Sequence, residues 1–340
     1  MAVVLAAGKL PGPLLARLLR DAGPMPPEVL IGPALGEDAC AIGVEGGVLV
    51  AATDPVTFSG VGVGRSAVIV NANDVAVAGV RPRWFLATVL LPEGTTEDEV
   101  ERVFADIGAG LALTGTVLVG GHTEITSAVT RPVVVGQMLG MAPEAGVLAT
   151  GAMQVGDVVV QVGSVPVEGA SVLATEAAER LRDLDPLVLR AAVNATHEPG
   201  ICVVDAALYA AGLGATALHD PTEGGLAAAL HELAGAAGVG LLLDPEAVQW
   251  FAPGTAVCEA LGADPWATLA SGALLASFAP SRVGEAVEAL VARGHLASVV
   301  AVAVAGEGIA DRSGRRLPWP ERDEVARVLE GRGLDPASAG

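Results

Sequence analysis

The clearest indication of the fold comes from the stretch Ser66-Ala-Val-Ile-Val-Asn-Ala-Asn-Asp-Val-Ala-Val-Ala-Gly79. Beyond its first residue, the only polar side chains are Asn71, Asn73 and Asp74. The length of the stretch and its closing glycine favour a mostly buried helix, in spite of the many valines. A carboxylate within such a helix is costly without a partner, so we expect Asp74 to have a chemical role.

The composition is typical of a packed globular protein. The chain has 340 residues, of which 52% are hydrophobic and 17% are charged. At roughly 150 residues per domain, this length predicts two domains. The net charge of −20 repels a phosphate backbone, so we expect no nucleic-acid partner. The longest uncharged stretches are too short and too interrupted for a membrane span, which argues against a membrane protein.

The cysteines and the first residues predict a cytoplasmic protein. Cys40, Cys202 and Cys258 are widely separated and have no CxxC spacing, so they indicate neither a disulfide framework nor a zinc site. The sequence begins without the basic residues that open a secretory signal. Lys9 is the only lysine, and its retention favours a contact with phosphate.

Other elements are predicted before and after the helix at 66–79. An apolar run at 48–52 predicts a buried strand that breaks at Thr53-Asp54-Pro55. A strand is predicted at 84–91, and a capping box at Thr96-x-x-Glu99 opens the next helix. The segment Gly120-Gly121-His122-Thr123 follows another strand and is read as a tight turn, whose glycines also let backbone amides approach phosphate.

The glycine- and alanine-rich segment 143–156 predicts a domain boundary near residue 150. We therefore expect an N-terminal domain at 1–150, a C-terminal domain at 151–310 and a tail at 311–340. The second domain is again a mixture, with helices such as 225–237 and strands such as 240–243. Gly224 and Gly225 begin one of those helices and are expected to offer free amides to an anion.

Four aspartates form the candidate metal site. Asp38, Asp54 and Asp220 each lie beside a turn or a strand end, and Asp74 lies on the buried helix. Taken singly, the first three are as compatible with a turn, a loop or a helix cap as with a metal. Few basic residues are near, so a divalent cation is the expected partner. Mg²⁺ is typically held by a few carboxylates together with nucleotide phosphates.

Several common catalytic motifs are missing from the sequence. It contains no Walker A loop, no HExxH motif and no GxSxG nucleophile elbow. The segment Gly62-x-Gly64-x-x-Ala67 formally matches a dinucleotide-binding fingerprint. A dinucleotide-binding enzyme is therefore an alternative, less favoured hypothesis.

Five segments in order resemble the aminoimidazole ribonucleotide (AIR) synthetase superfamily. They are Gly36-Glu-Asp-Ala39, Thr53-Asp54, Asn73-Asp74-Val-Ala-Val-Ala-Gly79, Leu118-Val-Gly-Gly-His-Thr123 and Asp220-Pro-Thr-Glu-Gly-Gly-Leu-Ala227. The superfamily includes thiamine-monophosphate kinase, selenophosphate synthetase and the hydrogenase-maturation protein HypE. The last segment is most similar to that of HypE, which has arginine in place of Glu223.

The resemblance implies a mixed α/β (α+β) fold of the PurM-like type. An N-terminal domain would complete a barrel across a homodimer, a C-terminal α+β domain would follow, and ATP with Mg²⁺ would lie in the cleft between them. The candidate residues fall into three groups. They are the metal ligands Asp38, Asp54, Asp74 and Asp220, the nucleotide-binding residues Asn73, Gly120, Gly121, His122, Thr123, Gly224 and Gly225, and the catalytic residues Lys9 and Asp74.

Departures from the family pattern concern the acceptor. In HypE a C-terminal cysteine accepts a carbamoyl group, which is then dehydrated. The last cysteine here is Cys258, so we expect this chain alone not to perform that dehydration. His122 stands where the kinase has aspartate, a loss for which Glu124 could compensate. We predict a Mg²⁺-dependent, ATP-using enzyme that phosphorylates or activates an unidentified small-molecule or protein acceptor. The alternative is a nucleotide-binding maturation or regulatory partner without turnover.

Overall fold

The computed structural model describes residues 12–20, 25–57, 62–143 and 146–330. The α-helices of these residues are α1 (Gly12–Arg20), α2 (Val63–Val77), α3 (Glu97–Thr114), α4 (Glu168–Glu176), α5 (Pro186–Val193), α6 (Val204–Gly212), α7 (Gly225–Ala237), α8 (Ala252–Leu261), α9 (Val283–Ala292) and α10 (Glu324–Leu329). The strands are β1 (Val29–Ile31), β2 (Cys40–Val44), β3 (Gly47–Val56), β4 (Pro82–Pro92), β5 (Val117–Thr126), β6 (Val133–Ala142), β7 (Val158–Val162), β8 (Ala217–His219), β9 (Gly240–Leu243), β10 (Leu274–Phe278), β11 (Ala297–Val304) and β12 (Ile309–Asp311).

The strands form two mixed sheets, one in each half of the chain. The first has the order β1-β2-β3-β6-β4-β5 and is antiparallel except for the parallel pair β4 and β5. The second has the order β12-β9-β11-β7-β10-β8, in which β12 and β9 are parallel. Helices pack on both sheets, so the predicted mixed α/β fold is confirmed.

Helix α2 is the buried helix that the apolar stretch at 66–79 predicts. It packs against β3 and β6 on one side and against α3 and α6 on others, which explains why almost all of its residues are buried. A Cβ on Gly64 would lie 2.5 Å from the carbonyl oxygen of Val103 in α3. The glycine therefore permits close packing of α2 on α3, and this accounts for part of the apparent dinucleotide fingerprint.

The predicted capping box at the start of α3 is confirmed. The backbone N–H of Glu99 donates to the Thr96 hydroxyl, and the Glu99 carboxylate accepts from the Thr96 backbone N–H at 2.6 Å. Two donors at the helix N-terminus are satisfied in this way, which fixes where α3 begins.

Two predicted breaks in the first sheet are wrong. Strand β3 does not end before Thr53-Asp54-Pro55 but continues through it, because these residues stay paired with β6. Strand β5 likewise runs through Gly120–Thr123 without a turn. Its parallel pairing with β4 brings Gly121 so close that a Cβ would lie 2.0 Å from the Ala87 carbonyl oxygen. Glycine is needed at this position for close packing of two strands.

The order of the first sheet does not fit the dinucleotide alternative. A dinucleotide-binding unit pairs two parallel strands that are joined by the helix carrying the glycine motif. Here β3 and β4 flank α2 in sequence, but β6 lies between them and is antiparallel to both. The parallel pair that the motif requires is therefore not formed around α2.

The hydrophobic core is continuous between the two halves. Phe85 of β4 and Phe278 of β10 are fully buried members of the same cluster of apolar side chains. Within the residues that the structure describes, no helix is both long and apolar enough to cross a membrane.

Candidate functional site

A cleft between the two halves, with a volume of about 1060 Å³, is lined by several of the predicted residues. One wall comes from the end of β3 and the beginning of α2. The opposite wall comes from α4, the end of α5 and the segment before α7. Asp38, Asp54 and Asp74 all line this cleft.

Asp54 is held in place by Asn71. The backbone N–H of Asp54 donates to Oδ1 of Asn71 at 2.9 Å, and Nδ2 of Asn71 donates to the Asp54 carbonyl oxygen at 3.1 Å. Nδ2 also donates to the carbonyl oxygen of Ala67, one turn earlier in α2. The polar face of α2 thus fixes the end of β3, where Asp54 enters the cleft.

Asp38 is connected to the second half through a buried histidine. Nδ1 of His219, the last residue of β8, lies 2.6 Å from Oδ2 of Asp38, and Nε2 lies 3.1 Å from Oε2 of Glu232 in α7. Burial alone would lower the pKa of His219, but the two carboxylates outweigh it and hold the pKa well above its usual value. His219 therefore lies within hydrogen-bonding distance of two carboxylates, one from each half of the chain.

Asp220, which follows His219, is buried, and neither of its side-chain oxygens has a hydrogen-bond partner. Burial raises the pKa of Asp220 to about 8, and the carboxylates of Asp38 and Asp54 act in the same direction. These three aspartates, which are far apart in sequence, are thus close enough in space to interact. A buried carboxylate without a hydrogen bond is what a bound cation would satisfy.

The described residues contain no group of three or more His, Cys, Asp or Glu side chains arranged to hold a metal by themselves. Mg²⁺ does not require one, because it is commonly bound by one or two carboxylates together with phosphates and water. The unsatisfied carboxylate of Asp220, within electrostatic range of Asp38 and Asp54, is therefore compatible with Mg²⁺ that arrives with a nucleotide.

The other charges of the cleft are mostly acidic. Glu37, Glu168 and Glu223 line it together with the aspartates, and Arg65 is a cation among them. Burial raises the pKa of Glu168, although the nearby Ser271 hydroxyl opposes this change. Nη1 of Arg65 donates to the carbonyl oxygen of Thr196 at 3.0 Å, which fixes the guanidinium across the cleft. A nucleotide could enter such a cleft only with its charge partly neutralised.

Asn73, a predicted nucleotide-binding residue, is fully buried and bonds to the second half of the chain. Its Nδ2 donates to the carbonyl oxygen of Ile201, and its Oδ1 accepts from the backbone N–H of Val203, both at 2.9 Å. Its amide is therefore engaged in joining α2 to the segment before α6.

The residues Gly120, Gly121, His122 and Thr123 do not line the cleft of their own chain. They lie on β5, the outer strand of the first sheet, and are exposed. Nε2 of His122 is 3.1 Å from Oε2 of the exposed Glu124. Their assignment to the nucleotide stays a prediction.

Gly224 and Gly225 begin α7 as expected, but both of their amides are engaged, and the N–H of Gly225 donates to the Thr222 carbonyl oxygen at 3.0 Å. The backbone N–H of Gly224 donates to Oδ2 of Asp323 at 2.7 Å, and Oδ1 of Asp323 accepts from the N–H of Val325. Burial raises the pKa of Asp323 to about 7 in spite of these two donors. A carboxylate from the tail thus meets the N-terminus of α7. Lys9 lies outside the described residues.

Sequence reasoning did not identify His219, Glu232, Arg65 or Glu168. His219 adjoins a predicted ligand, and this was the available signal. Its partner Asp38 is 181 residues away in sequence, a distance at which spacing carries no information.

The fold is a two-domain PurM-like architecture, and the chain belongs to the AIR synthase related protein family. The N-terminal domain of this family matches residues 36–142, and its C-terminal domain matches residues 154–312.

Curated relatives include the carbamoyl dehydratases HypE. The chain is 30% identical over 316 residues to the protein of Rhizobium leguminosarum bv. viciae, covering 86% of each chain. It is 31% identical over 264 residues to the protein of Rhodobacter capsulatus, covering 77% of this chain and 74% of the relative. The predicted closeness to HypE is confirmed.

Solved structures show the same PurM-like fold. A crystal structure of Escherichia coli HypE matches with a TM-score of 0.71 and 23% identity, covering 93% of this chain and 99% of that one. A HypE complex with ATP matches with a TM-score of 0.66 and 22% identity, covering 92% and 91%. ThiL with AMPPCP and TMP matches with a TM-score of 0.69 and 20% identity, covering 85% and 92%.

Proposed function

We propose that this protein binds ATP with Mg²⁺ in the cleft between its halves and transfers a phosphoryl group to, or otherwise activates, a small acceptor. The observation that carries the proposal is the buried carboxylate of Asp220, which has no hydrogen-bond partner and lies near Asp38 and Asp54. Membership of the AIR synthase related family supports it, as does the ATP complex of a HypE structure with the same fold.

The proposed roles follow from the positions of the side chains. Asp38, Asp54 and Asp220 would hold Mg²⁺, which would offset the negative charge of the phosphates during transfer. Asp74 lines the cleft from α2 and would contact the metal or the acceptor. Arg65, fixed on Thr196, would contact a phosphate group. Most of the catalysis would then be positioning and charge compensation.

The proposed assembly is a homodimer formed through β5. This strand is the edge of its sheet, and its apolar residues Val117, Leu118, Val119 and Ile125 are 55%, 41%, 53% and 51% exposed. An uncovered edge of this kind is a template for pairing with another strand. A second copy would bring its own Gly120–Thr123 segment to the interface. Light scattering of purified protein tests this, and a monomer at micromolar concentration would contradict it.

The test of the proposed function is Mg²⁺-dependent ATP binding and turnover. Calorimetry with ATP should show binding that weakens greatly when Mg²⁺ is chelated, and Asp220→Asn should weaken it to a similar extent. Asp183→Asn, at an exposed position outside the cleft, is the matched control. Binding that is equally strong without Mg²⁺, or with Asp220→Asn, would contradict the proposal.

Turnover separates the enzyme from the alternative. Release of ADP, screened across small acceptors, would support group transfer. Tight binding without ADP release for any acceptor would favour a nucleotide-binding maturation or regulatory partner. One solved structure of similar fold is a HypE–HypF complex, in which HypE is bound to a protein partner.

A further inference from the structure

His219 forms a deeply buried contact with carboxylates from both halves of the chain. Its side chain is 2% exposed, and Glu232 beside it is 5% exposed. Asp38 on the other side is 19% exposed and reaches the cleft. His219 therefore links the Asp38 carboxylate, which reaches the cleft, to the buried carboxylate of Glu232.

The ring of His219 is held at both of its nitrogens. Nδ1 faces the Asp38 carboxylate at 2.6 Å, and Nε2 faces the Glu232 carboxylate at 3.1 Å. Glu232 holds Nε2, and this leaves the ring one orientation in which Nδ1 meets Asp38. The hydrogen bond uses Oδ2 of Asp38 and leaves Oδ1 outside it.

We infer that His219 is a positioning residue for the metal site: it fixes the Asp38 carboxylate beside Asp220, with Glu232 fixing the imidazole in turn. This inference rests on the proposed function, because it assumes that Asp38 and Asp220 share the cation that arrives with the nucleotide. Ligating carboxylates are oriented by hydrogen bonds from the residues behind them, and removal of such a partner typically weakens metal binding about 10- to 100-fold.

The contact between His219 and Asp38 joins the two halves of the chain. Asp38 belongs to the first half, whereas His219 and Glu232 belong to β8 and α7 of the second. His219 is also the residue before Asp220. One buried ring therefore sets the relative position of two carboxylates that come from different halves of the chain.

Metal affinity tests this inference separately from turnover. Mn²⁺ would be titrated into the protein saturated with β,γ-methylene ATP, and free Mn²⁺ would be followed by electron paramagnetic resonance. His219→Ala should weaken Mn²⁺ binding at least tenfold. Glu232→Gln should weaken it less, because it keeps a group of the same shape against Nε2. In the double variant Asp38→Asn with His219→Ala, the two losses should not add, because the histidine acts through Asp38.

His231→Ala is the matched control. This histidine lies on the same helix as Glu232, but it contacts the Leu317 carbonyl oxygen and the Trp319 ring, outside the cleft. It should leave Mn²⁺ affinity unchanged whatever it does to stability. If His219→Ala does not fold, His219→Gln, which keeps one donor, replaces it, and an at least threefold loss is expected.

The outcomes distinguish this inference from the proposed function. If the unmodified protein binds no Mn²⁺ with the nucleotide analogue, the proposed function fails and the inference fails with it. If it binds Mn²⁺ and folded His219→Ala binds equally well or more tightly, the inference alone is overturned, and His219 serves only to join the two halves.

Discussion

The side-chain amide of Asn71 holds the backbone of Asp54 on both sides, accepting from its N–H at 2.9 Å and donating to its carbonyl oxygen at 3.1 Å. This is the hydrogen-bonding pattern of a neighbouring strand, supplied here by a helix. A Cβ on Gly136 would lie 2.3 Å from Nδ2 of Asn71, so the glycine of β6 leaves the space that the amide fills.

Asn71→Ala should lower both stability and nucleotide affinity. It removes one buried hydrogen bond, to Ala67, and two partly buried ones, to Asp54, and a typical hydrogen bond contributes about 0.5–1.5 kcal/mol. We expect the free energy of unfolding to fall by roughly 3 kcal/mol in urea titrations. Calorimetry should show weaker binding of ATP with Mg²⁺. An unchanged urea midpoint and unchanged affinity would mean that β6 alone positions Asp54.

Asn73→Ala should act mainly on the junction between the halves. The variant removes hydrogen bonds to Ile201 and Val203, both fully or nearly fully buried, at a cost of about 2 kcal/mol. Hydrogen exchange of the Val203 amide should become faster, because that amide loses its acceptor. A variant with parental exchange and stability but greatly weakened ATP binding would instead support the sequence-based assignment of Asn73 to the nucleotide.

The stability effect of Asp323→Asn should depend on pH. The folded pKa of Asp323, about 7, lies above its ordinary value of 3.8. The proton is therefore bound more tightly in the folded state, and this contribution to stability is complete below pH 3.8 and is lost as the pH rises through 7. Asparagine does not titrate, so the free energy of unfolding of the parent should fall relative to that of the variant as the pH rises from 4 to 8.

Urea titrations across that pH range measure the shift. It should amount to a few kcal/mol, since one unit of pKa corresponds to about 1.4 kcal/mol. Asp183→Asn, at an exposed position, should track the parent at every pH. A constant difference between Asp323→Asn and the parent would mean that Asp323 is not the buried acid at the start of α7.

Gly121→Ala and Gly120→Ala should differ sharply. A Cβ on Gly121 meets the Ala87 carbonyl oxygen at 2.0 Å, and the positive φ of 150° adds strain, whereas a Cβ on Gly120 has Leu86 Cδ2 at 3.7 Å as its nearest neighbour. We expect Gly121→Ala to lose more than about 3 kcal/mol or fail to fold, and Gly120→Ala to stay within about 1 kcal/mol of the parent. Thermal unfolding of both variants tests this. Equal melting temperatures would show that β4 and β5 can move apart.

The local elements were predictable where a signal is contained in a short segment. The buried helix α2, the capping box of α3 and the helix Gly225–Ala237 all follow from apolar runs, caps and glycines. Glycine pairs usually mark turns, so the sequence predicts a turn at 120–123, but packing on Ala87 requires Gly121 in a straight strand. Local patterns do not distinguish these two uses of glycine.

The candidate site was predictable in its acids and not in what holds them. Asp38, Asp54, Asp74 and Asp220 stand out because they interrupt apolar segments or follow turns. The contact of Asp38 with His219 and that of Gly224 with Asp323 join positions 181 and 99 residues apart. Such contacts depend on how the two sheets are placed, and this placement is not encoded in any short stretch.

The shared core limits how the chain can be divided. A cut near residue 150 would separate Phe85 from Phe278, uncovering apolar surface on both fragments, and would leave the Asn73 amide without its partners. The fragments are therefore expected to aggregate when produced singly and to reassemble when produced together. This protein is a candidate for a split reporter, in which recovery of the folded state signals that its two pieces have met.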